Sequence, residues 1–314
     1  MSERTKPIAI AAGVVALVVV VLAIVLQSLA RRPASPAAAP ETGPGTSTGG
    51  AGAVANRPPA GADGATAANL PAGPSPGAPR DEAPLFSIQY WGHACFLITA
   101  GSGNDRVSAV TDPYDHRFTG YAPLDLQAQF VTISHDHRDH NYRAAVRAFP
   151  GQTLTVLDAG SAVARRGKVT ISHVSTYHDT RQGAERGPNT VFIVAMDGTR
   201  LVHLGDLGHI LTPEQVAAIG RVDVLLVPVG GTFTIGPAEA RQVVEQLNPR
   251  LVIPMHYRTG GTAPDLARVL QPVESFTVQF ADVKSLNQDT ETVYRSTLNN
   301  TRPVVHVLKP AGLK

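Results

Sequence analysis

The sequence is poor in cysteine and in excess charge, and each shortage excludes a class of protein. A single cysteine, Cys95, cannot form an intrachain disulfide and excludes a zinc site built on several thiolates. The formal net charge of +2 is too small to favour nucleic acid as a partner. A metal site in this chain must therefore use His, Asp and Glu side chains.

Charged residues are also absent from Ile8 to Ala30, where most positions are Val, Ala, Leu or Ile. About 20 such residues suffice to cross a bilayer, whereas the apolar core of a signal peptide spans about 7 to 15. We therefore predict a single-pass membrane anchor over residues 1–32, and Ser28-Leu29-Ala30 leaves cleavage open as an alternative. Basic residues flank both ends, so they do not set the orientation. The short N-terminal tail favours a location outside the cytoplasm for the part of the chain that follows the anchor.

Large apolar side chains are almost absent from residues 33–84, which consist mainly of Pro, Ala, Gly, Ser and Thr. Such a segment cannot bury enough surface to offset the entropy of ordering it. We predict a disordered linker over residues 33–84 and one folded domain over residues 85–314, which is an ordinary size for a single domain.

The pattern of the chain changes at Leu85, where short apolar runs separated by Gly, Asp and Pro begin to predict β-strands. Three helices interrupt them. The first begins with a capping box formed by Thr212 and Gln215 and ends at Gly220. The second spans residues 237–247, where apolar residues recur at helical spacing, and the third spans residues 263–270. Many strands with helices between them predict a layered α/β domain.

The strongest local signal is the segment from Ser134 to His140, with the sequence Ser-His-Asp-His-Arg-Asp-His. It follows the apolar run 130–133, and strand ends are common positions for functional side chains. His135 and His137 are two residues apart, so in an extended stretch they point the same way and can bind one metal. Asp139 and His140 follow a turn and suit a second metal.

These residues resemble the metal-binding signature of the metallo-β-lactamase superfamily. The resemblance implies an αββα four-layer sandwich with the metals at one edge. It also implies the rest of the ligand set, with His178 completing the first metal site, Asp206 bridging the metals and His256 completing the second. His173, five residues before His178, is the competing imidazole.

Further residues match one branch of the superfamily, zinc-dependent hydrolases similar to ascorbate-6-phosphate lactonase. The matching segments are Tyr90-Trp91-Gly92-His93-Ala94, Gly205-Asp206-Leu207-Gly208-His209 and Pro228-Val229-Gly230-Gly231. His93 and His209 are candidates for metal-site support or substrate contact. Asp112, at an early strand end, is a candidate to hold a metal-bound imidazole through its carboxylate.

The resemblance implies a cofactor of two Zn²⁺ ions, with Mn²⁺ or iron as alternatives. It also implies hydrolysis of an ester, lactone or similar bond in a small-molecule substrate, which can be anionic, by a hydroxide held between the metals. Asp139 and Asp206 are the carboxylates predicted to serve catalysis. A phosphodiesterase acting on a phospholipid or nucleotide, a di-iron redox protein and a non-enzymatic metal-binding module are the competing interpretations. Di-iron members usually carry glutamate at the position of His137, which favours zinc here.

Overall fold

The computed structural model describes residues 82–313 of the 314-residue chain. The predicted membrane anchor and the linker up to residue 81 lie outside the described residues. Within residues 82–313, no helix combines the length and the apolar character needed to cross a bilayer.

Sixteen strands form the framework of this part of the chain. In chain order they are β1 (Phe86–Gly92), β2 (Cys95–Ala100), β3 (Val107–Thr111), β4 (Leu126–Gln127), β5 (Phe130–Thr132), β6 (Val146–Arg147), β7 (Thr155–Leu157), β8 (Ala164–Arg166), β9 (Val169–Tyr177), β10 (Pro188–Met196), β11 (Thr199–His203), β12 (Val224–Pro228), β13 (Leu251–Met255), β14 (Val283–Ser285), β15 (Thr290–Val293) and β16 (Val304–Val307). The helices are α1 (His116–Thr119), α2 (Pro213–Ile219), α3 (Pro237–Leu247), α4 (Pro264–Val269) and α5 (Glu274–Thr277), and single 3-10 turns lie at Gly103–Asp105, Arg143–Ala145 and Ser296–Leu298.

The strands form two large sheets. One has six strands in the order β15-β1-β2-β3-β5-β7, the other has eight in the order β14-β16-β13-β12-β11-β10-β9-β8, and β4 pairs with β6 separately. In the larger sheet β11, β12, β13 and β16 run parallel, whereas β8, β9, β10 and β11 are antiparallel. The carboxyl ends of β9, β11, β12 and β13 therefore meet at one edge.

The main apolar core is built from the alternating faces of these strands. In β1 the side chains of Phe86, Ile88 and Tyr90 are fully buried, and the residues between them are partly exposed. Every residue of β12 and β13 is buried, as expected of parallel strands in the middle of a sheet. A second apolar cluster, which includes Cys95, Val110 and Val131, covers the other face of the six-stranded sheet. Cys95 is thus a core thiol.

The predicted helices form where their local sequence favours them. The capping box of α2 is present, with the Gln215 N–H donating to the Thr212 hydroxyl. Helix α3 buries Ala240, Val243 and Val244 and packs against β12. Two packed sheets with helices outside them confirm the predicted α/β sandwich. The face of the six-stranded sheet that points away from the eight-stranded sheet is covered mainly by loops and the four-residue helix α1.

Candidate metal centre

The loop after β5 carries most of the predicted ligands, and its local geometry separates them into two sets. The chain leaves the buried strand at Ser134, and a turn follows in which the N–H groups of His140 and Asn141 donate to the carbonyl of His137. This turn returns His140 to full burial while His137 stays exposed. Asp136 and Arg138 are exposed.

The remaining ligand candidates lie directly after three strands of the eight-stranded sheet. His178 follows β9, Asp206 comes shortly after β11, and His256 follows β13. Because the carboxyl ends of these strands meet at one edge, the three side chains converge on the β5 loop. The fold thus brings all seven predicted ligand residues together.

Asp206 lies at the centre of this arrangement. Its Oδ2 atom is 3.2 Å from Nε2 of His140, 3.3 Å from that of His256, 3.4 Å from that of His178 and 3.8 Å from that of His135. Two ligand groups flank it. The first is His135, His137 and His178, and the second is His93, Asp139, His140 and His256, with the candidate donor atoms of each group within 4.8 Å of one another.

Unpaired buried atoms test whether these residues suit metal ions. Within residues 82–313, Nε2 of His135, His140 and His256 and Oδ1 of Asp206 are buried and have no hydrogen-bond partner. A buried polar atom left unpaired costs about 1–3 kcal/mol, so a cluster of them requires compensation. Imidazole nitrogens with carboxylate oxygens are a donor set that zinc accepts. The residues therefore fit a pair of divalent cations.

The electrostatics of the cluster also favour a cation. Burial lowers the pKa of His135 well below 6.5 and that of His178 to about 4, so both imidazoles are neutral and able to ligate at pH 7. Burial would raise the pKa of Asp206, but His140 and His256 outweigh it and hold that pKa well below 3.8. Burial likewise opposes the protonation of His140, yet Asp206 and Asp139 raise its pKa. These carboxylates attract positive charge to the cluster.

Asp112 supports two of the imidazoles, as its position at the end of β3 predicts. Its Oδ2 atom is 3.0 Å from Nδ1 of His140, and it also accepts the hydroxyl of Ser134, whose Oγ is 2.9 Å from Nδ1 of His135. Both imidazoles are thus oriented with Nε2 towards Asp206. The relay through Ser134 is a contact that the sequence pattern did not reveal. Asn189 is another, because its Oδ1 accepts the N–H of Asp206.

His93 belongs to the second ligand group. Its side chain is 1% exposed, and its Nε2 atom is 3.0 Å from Oδ2 of Asp139. The ring centroid lies 4.0 Å from that of His256, whose N–H donates to the His93 carbonyl at 2.7 Å. Its backbone has a φ of 54°, a left-handed conformation that is costly for histidine. Burial and His256 lower its pKa to about 4, so the neutral ring can donate a hydrogen bond to Asp139.

The other histidines considered lie outside the two groups. His209 accepts the N–H of Tyr177 at 3.2 Å through Nε2, so it braces the strand end beside His178. His173, the competitor of His178, lies within β9 and contacts the carbonyl of Ser161 at 2.8 Å.

Two glycines permit the close backbone contacts that hold the ligand loops. A Cβ added at Gly208 would lie 2.2 Å from the carbonyl carbon of His178, and one at Gly230 would lie 2.0 Å from the carbonyl oxygen of His256. No side chain fits at either position.

The loop from His178 to Gly187 is organised by a single carboxylate. Asp179 accepts the N–H groups of Arg181, Gly183, Glu185 and Arg186 at 2.7–2.9 Å. Burial would raise the pKa of Asp179, but these four donors lower it to about 2. The loop that presents His178 is therefore fixed by its own backbone.

Comparison with known proteins covers the part of the chain that carries these residues. Residues 87–256, more than half of the chain, match a family model described as the beta-lactamase superfamily domain. The chain belongs to the metallo-β-lactamase superfamily. This match spans the strands and loops that carry all seven predicted ligand residues.

Relatives within the superfamily indicate the type of activity. The chain is 28% identical over 201 residues to a UPF0173 metal-dependent hydrolase of Desulforamulus reducens, which covers 55% of this chain and 85% of the relative. It is 30% identical over 203 residues to one from Pelotomaculum thermopropionicum, with the same coverage. A crystal structure from Thermotoga maritima, assigned as a Zn-dependent hydrolase of the superfamily, is 35% identical with a TM-score of 0.56, covering 71% of this chain and 100% of that one. The present chain is therefore a metal-dependent hydrolase of this superfamily.

Proposed function

We propose that the protein binds two zinc ions and hydrolyses an ester, lactone or similar bond in a small anionic substrate. The observation that carries the proposal is the central position of Asp206. Its Oδ2 atom lies 3.2–3.8 Å from four imidazole nitrogens that belong to two separate ligand groups. One carboxylate placed between two such groups suits two cations that share a ligand.

Each part of the site has a defined role in this proposal. His135, His137 and His178 would hold one cation, and Asp139, His140 and His256 the other, with Asp206 between them. A bound pair of zinc ions supplies a nucleophile at neutral pH and polarises the oxygen of the scissile bond. No serine or cysteine nucleophile is required.

Burial determines the side from which a substrate reaches the site. The side chains of His135, His140, His178, Asp206 and His256 are each at most 3% exposed. His137 is exposed, and the side chain of Asp139 is 17% exposed. The substrate therefore approaches over these two residues. We use the name metal cage for the seven predicted ligand residues together. His93 donates to Asp139 from the buried side of the metal cage and so orients this carboxylate towards the other ligands, while Asp139 stays partly exposed to solvent.

An anionic substrate is favoured by the loop that carries His178. Arg186 lies at the end of this loop, partly buried, with its guanidinium carbon 5.8 Å from the ring centre of Phe233. A guanidinium held by the fixed loop is suited to a carboxylate or phosphate group of the substrate. This agrees with the resemblance to ascorbate-6-phosphate lactonase in the segments around His93, Asp206 and Gly230.

The test combines elemental analysis of the purified full chain with parallel assays on lactones, carboxylic esters and a chromogenic phosphodiester. We expect two zinc ions per chain and hydrolysis of a lactone or ester, lost in Asp206→Asn and His256→Ala. His306→Gln is the matched control, because His306 is a buried histidine that pairs with Glu291 instead of the metal groups. Turnover of the phosphodiester alone would replace the proposal with a phosphodiesterase. Two irons and a coloured protein would overturn the choice of zinc.

The membrane tether is a separate proposal that rests on the uncharged segment from Ile8 to Ala30. We propose that this segment anchors the hydrolase domain to a membrane, on the side away from the cytoplasm, with residues 33–84 as a spacer. Alkaline extraction of membranes should leave the full chain in the pellet, and protease added to intact cells stripped of any outer barrier should cut within residues 33–84 and release the hydrolase domain. Release by alkali, or protection from protease, would contradict the anchor or its orientation respectively.

A further inference from the structure

A cavity lined with arginine lies at the end of the eight-stranded sheet opposite the metal cage. Its volume is about 410 Å³, and it is lined by Thr199, Arg221, Asp223, Arg250, Arg295, Leu298 and Asn299. Thr199 begins β11, and Asp223 and Arg250 directly precede β12 and β13. Asp206 and His256 follow the other ends of β11 and β13. A five-residue strand spans about 16 Å, so this cavity and the cage are separate sites.

The charges around the cavity do not cancel. Three guanidiniums and one carboxylate line it. Asp223, which is 4% exposed, accepts Nε and Nη2 of Arg221 on one oxygen and the backbone N–H of Arg200 on the other. Its acceptor atoms are therefore occupied by neighbours within the protein, and it orients the Arg221 guanidinium.

The other two arginines have no carboxylate partner among residues 82–313. Arg250 donates through Nη1 to the carbonyl of Asn300 at 2.7 Å, and Arg295 donates through Nη2 to the carbonyl of Asp197 at 3.1 Å. Glu82, near Arg295, accepts the N–H of Ser296 instead. Each guanidinium is thus anchored by one bond to a backbone oxygen. A guanidinium has five donors, so most N–H groups of both remain available.

We propose that this cavity, which we call the arginine pocket, binds a phosphate group of a ligand distinct from the hydrolysed substrate. Arginine pairs with the oxygens of phosphate through two parallel hydrogen bonds, and several arginines around one concave site favour a dianion over a monovalent carboxylate. Thr199 and Asn299 add a hydroxyl and an amide to the lining, and Leu298 adds an apolar wall. The phosphate could belong to a soluble compound or to a phospholipid head group, and the proposal does not depend on the proposed reaction.

The test is calorimetric titration of the full chain with inorganic phosphate, together with amide hydrogen exchange on the same sample. We expect saturable binding that protects residues 221–223 and 295–299 from exchange. Arg250→Gln and Arg295→Gln should each weaken binding at least about tenfold, since each removes a charged donor. Arg268→Gln is the matched control. It removes the same charge from an exposed arginine on α4, whose partner Asp265 is also exposed, and it should leave binding unchanged.

Hydrogen exchange on the wild-type chain locates bound phosphate without any substitution, so it gives a result even where a variant fails to fold. Protection confined to residues 135–140 would place phosphate at the metal cage and overturn the proposal. So would the absence of saturable binding, or equal weakening by Arg268→Gln. Displacement of bound phosphate by vesicles of phosphatidylcholine with phosphatidic acid, but not by phosphatidylcholine alone, would support the site with a lipid head group as ligand. Phosphate retained against both vesicles would support it with a soluble ligand.

Discussion

Replacing His93 tests how the second cation is held. His93 lies at 3.0 Å from Asp139 and is almost completely buried. Its bond to a carboxylate is charge-assisted and contributes about 1.5–3 kcal/mol. Since about 1.4 kcal/mol corresponds to a factor of ten, His93→Ala should weaken binding of the second cation roughly 10- to 100-fold. Binding of the first cation should change little, because His93 lies outside the group of His135, His137 and His178.

Competitive titration with a zinc indicator measures both affinities without reference to any substrate. His306→Gln provides the control for loss of a buried imidazole, and it should leave both affinities unchanged. A second affinity that is the same in His93→Ala and in wild type would refute the supporting role. Equal weakening of both affinities would also refute it, because it would indicate a general distortion of the cage.

Three further predictions concern packing, pH and metal removal. Gly230→Ala should destabilise the fold by about 3 kcal/mol and reduce the amount of the second cation bound, because the added methyl would lie 2.0 Å from the His256 carbonyl oxygen. Gly260→Ala is the control. A Cβ added there meets nothing within 4 Å, so neither the free energy of unfolding nor the metal content should change. Hydrogen bonds from Arg117 lower the pKa of Asp115 to about 2, below its unfolded value, so this carboxylate stabilises the fold above about pH 4 and loses that contribution as the pH falls towards 2. Asp115→Asn should therefore lower the free energy of unfolding, measured in urea, by about 1–2 kcal/mol near neutral pH and by much less near pH 2. An equal loss at both pH values would contradict this role of Asp115. Removal of metal by a chelator should lower the midpoint of thermal unfolding by several degrees, because the buried nitrogens lose their partners. Zinc, but not magnesium, should restore the midpoint. An unchanged midpoint would argue against metal in the cage.

Local sequence patterns predicted the parts of the fold and site that depend on neighbouring residues. The apolar run over residues 130–133 predicted a buried strand followed by a loop of candidate ligands, and the structure has both. Helix α3 begins and ends at the residues that its apolar periodicity indicated. Strands with helices between them predicted a layered α/β domain, and the resemblance of the ligand segments implied the superfamily and its sandwich; the comparisons confirm both the superfamily and the sandwich.

Contacts between distant segments could not be predicted in this way. The sequence pattern does not predict strand β9, because its polar residues, including His173 and Ser175, hide its apolar alternation, although it ends next to His178. The contact of His93 with Asp139 joins residues 46 positions apart and depends on the irregular pairing of β1 with β2 at Gly92. The arginine pocket likewise assembles from four separate segments, none of which carries a motif.

Anomalous diffraction at the zinc edge, on crystals of the zinc-loaded protein, tests the central claim most directly. The account predicts two peaks, one among His135, His137 and His178 and the other among Asp139, His140 and His256, with Asp206 contacting both. A single peak, or two peaks of which only one contacts Asp206, would contradict it.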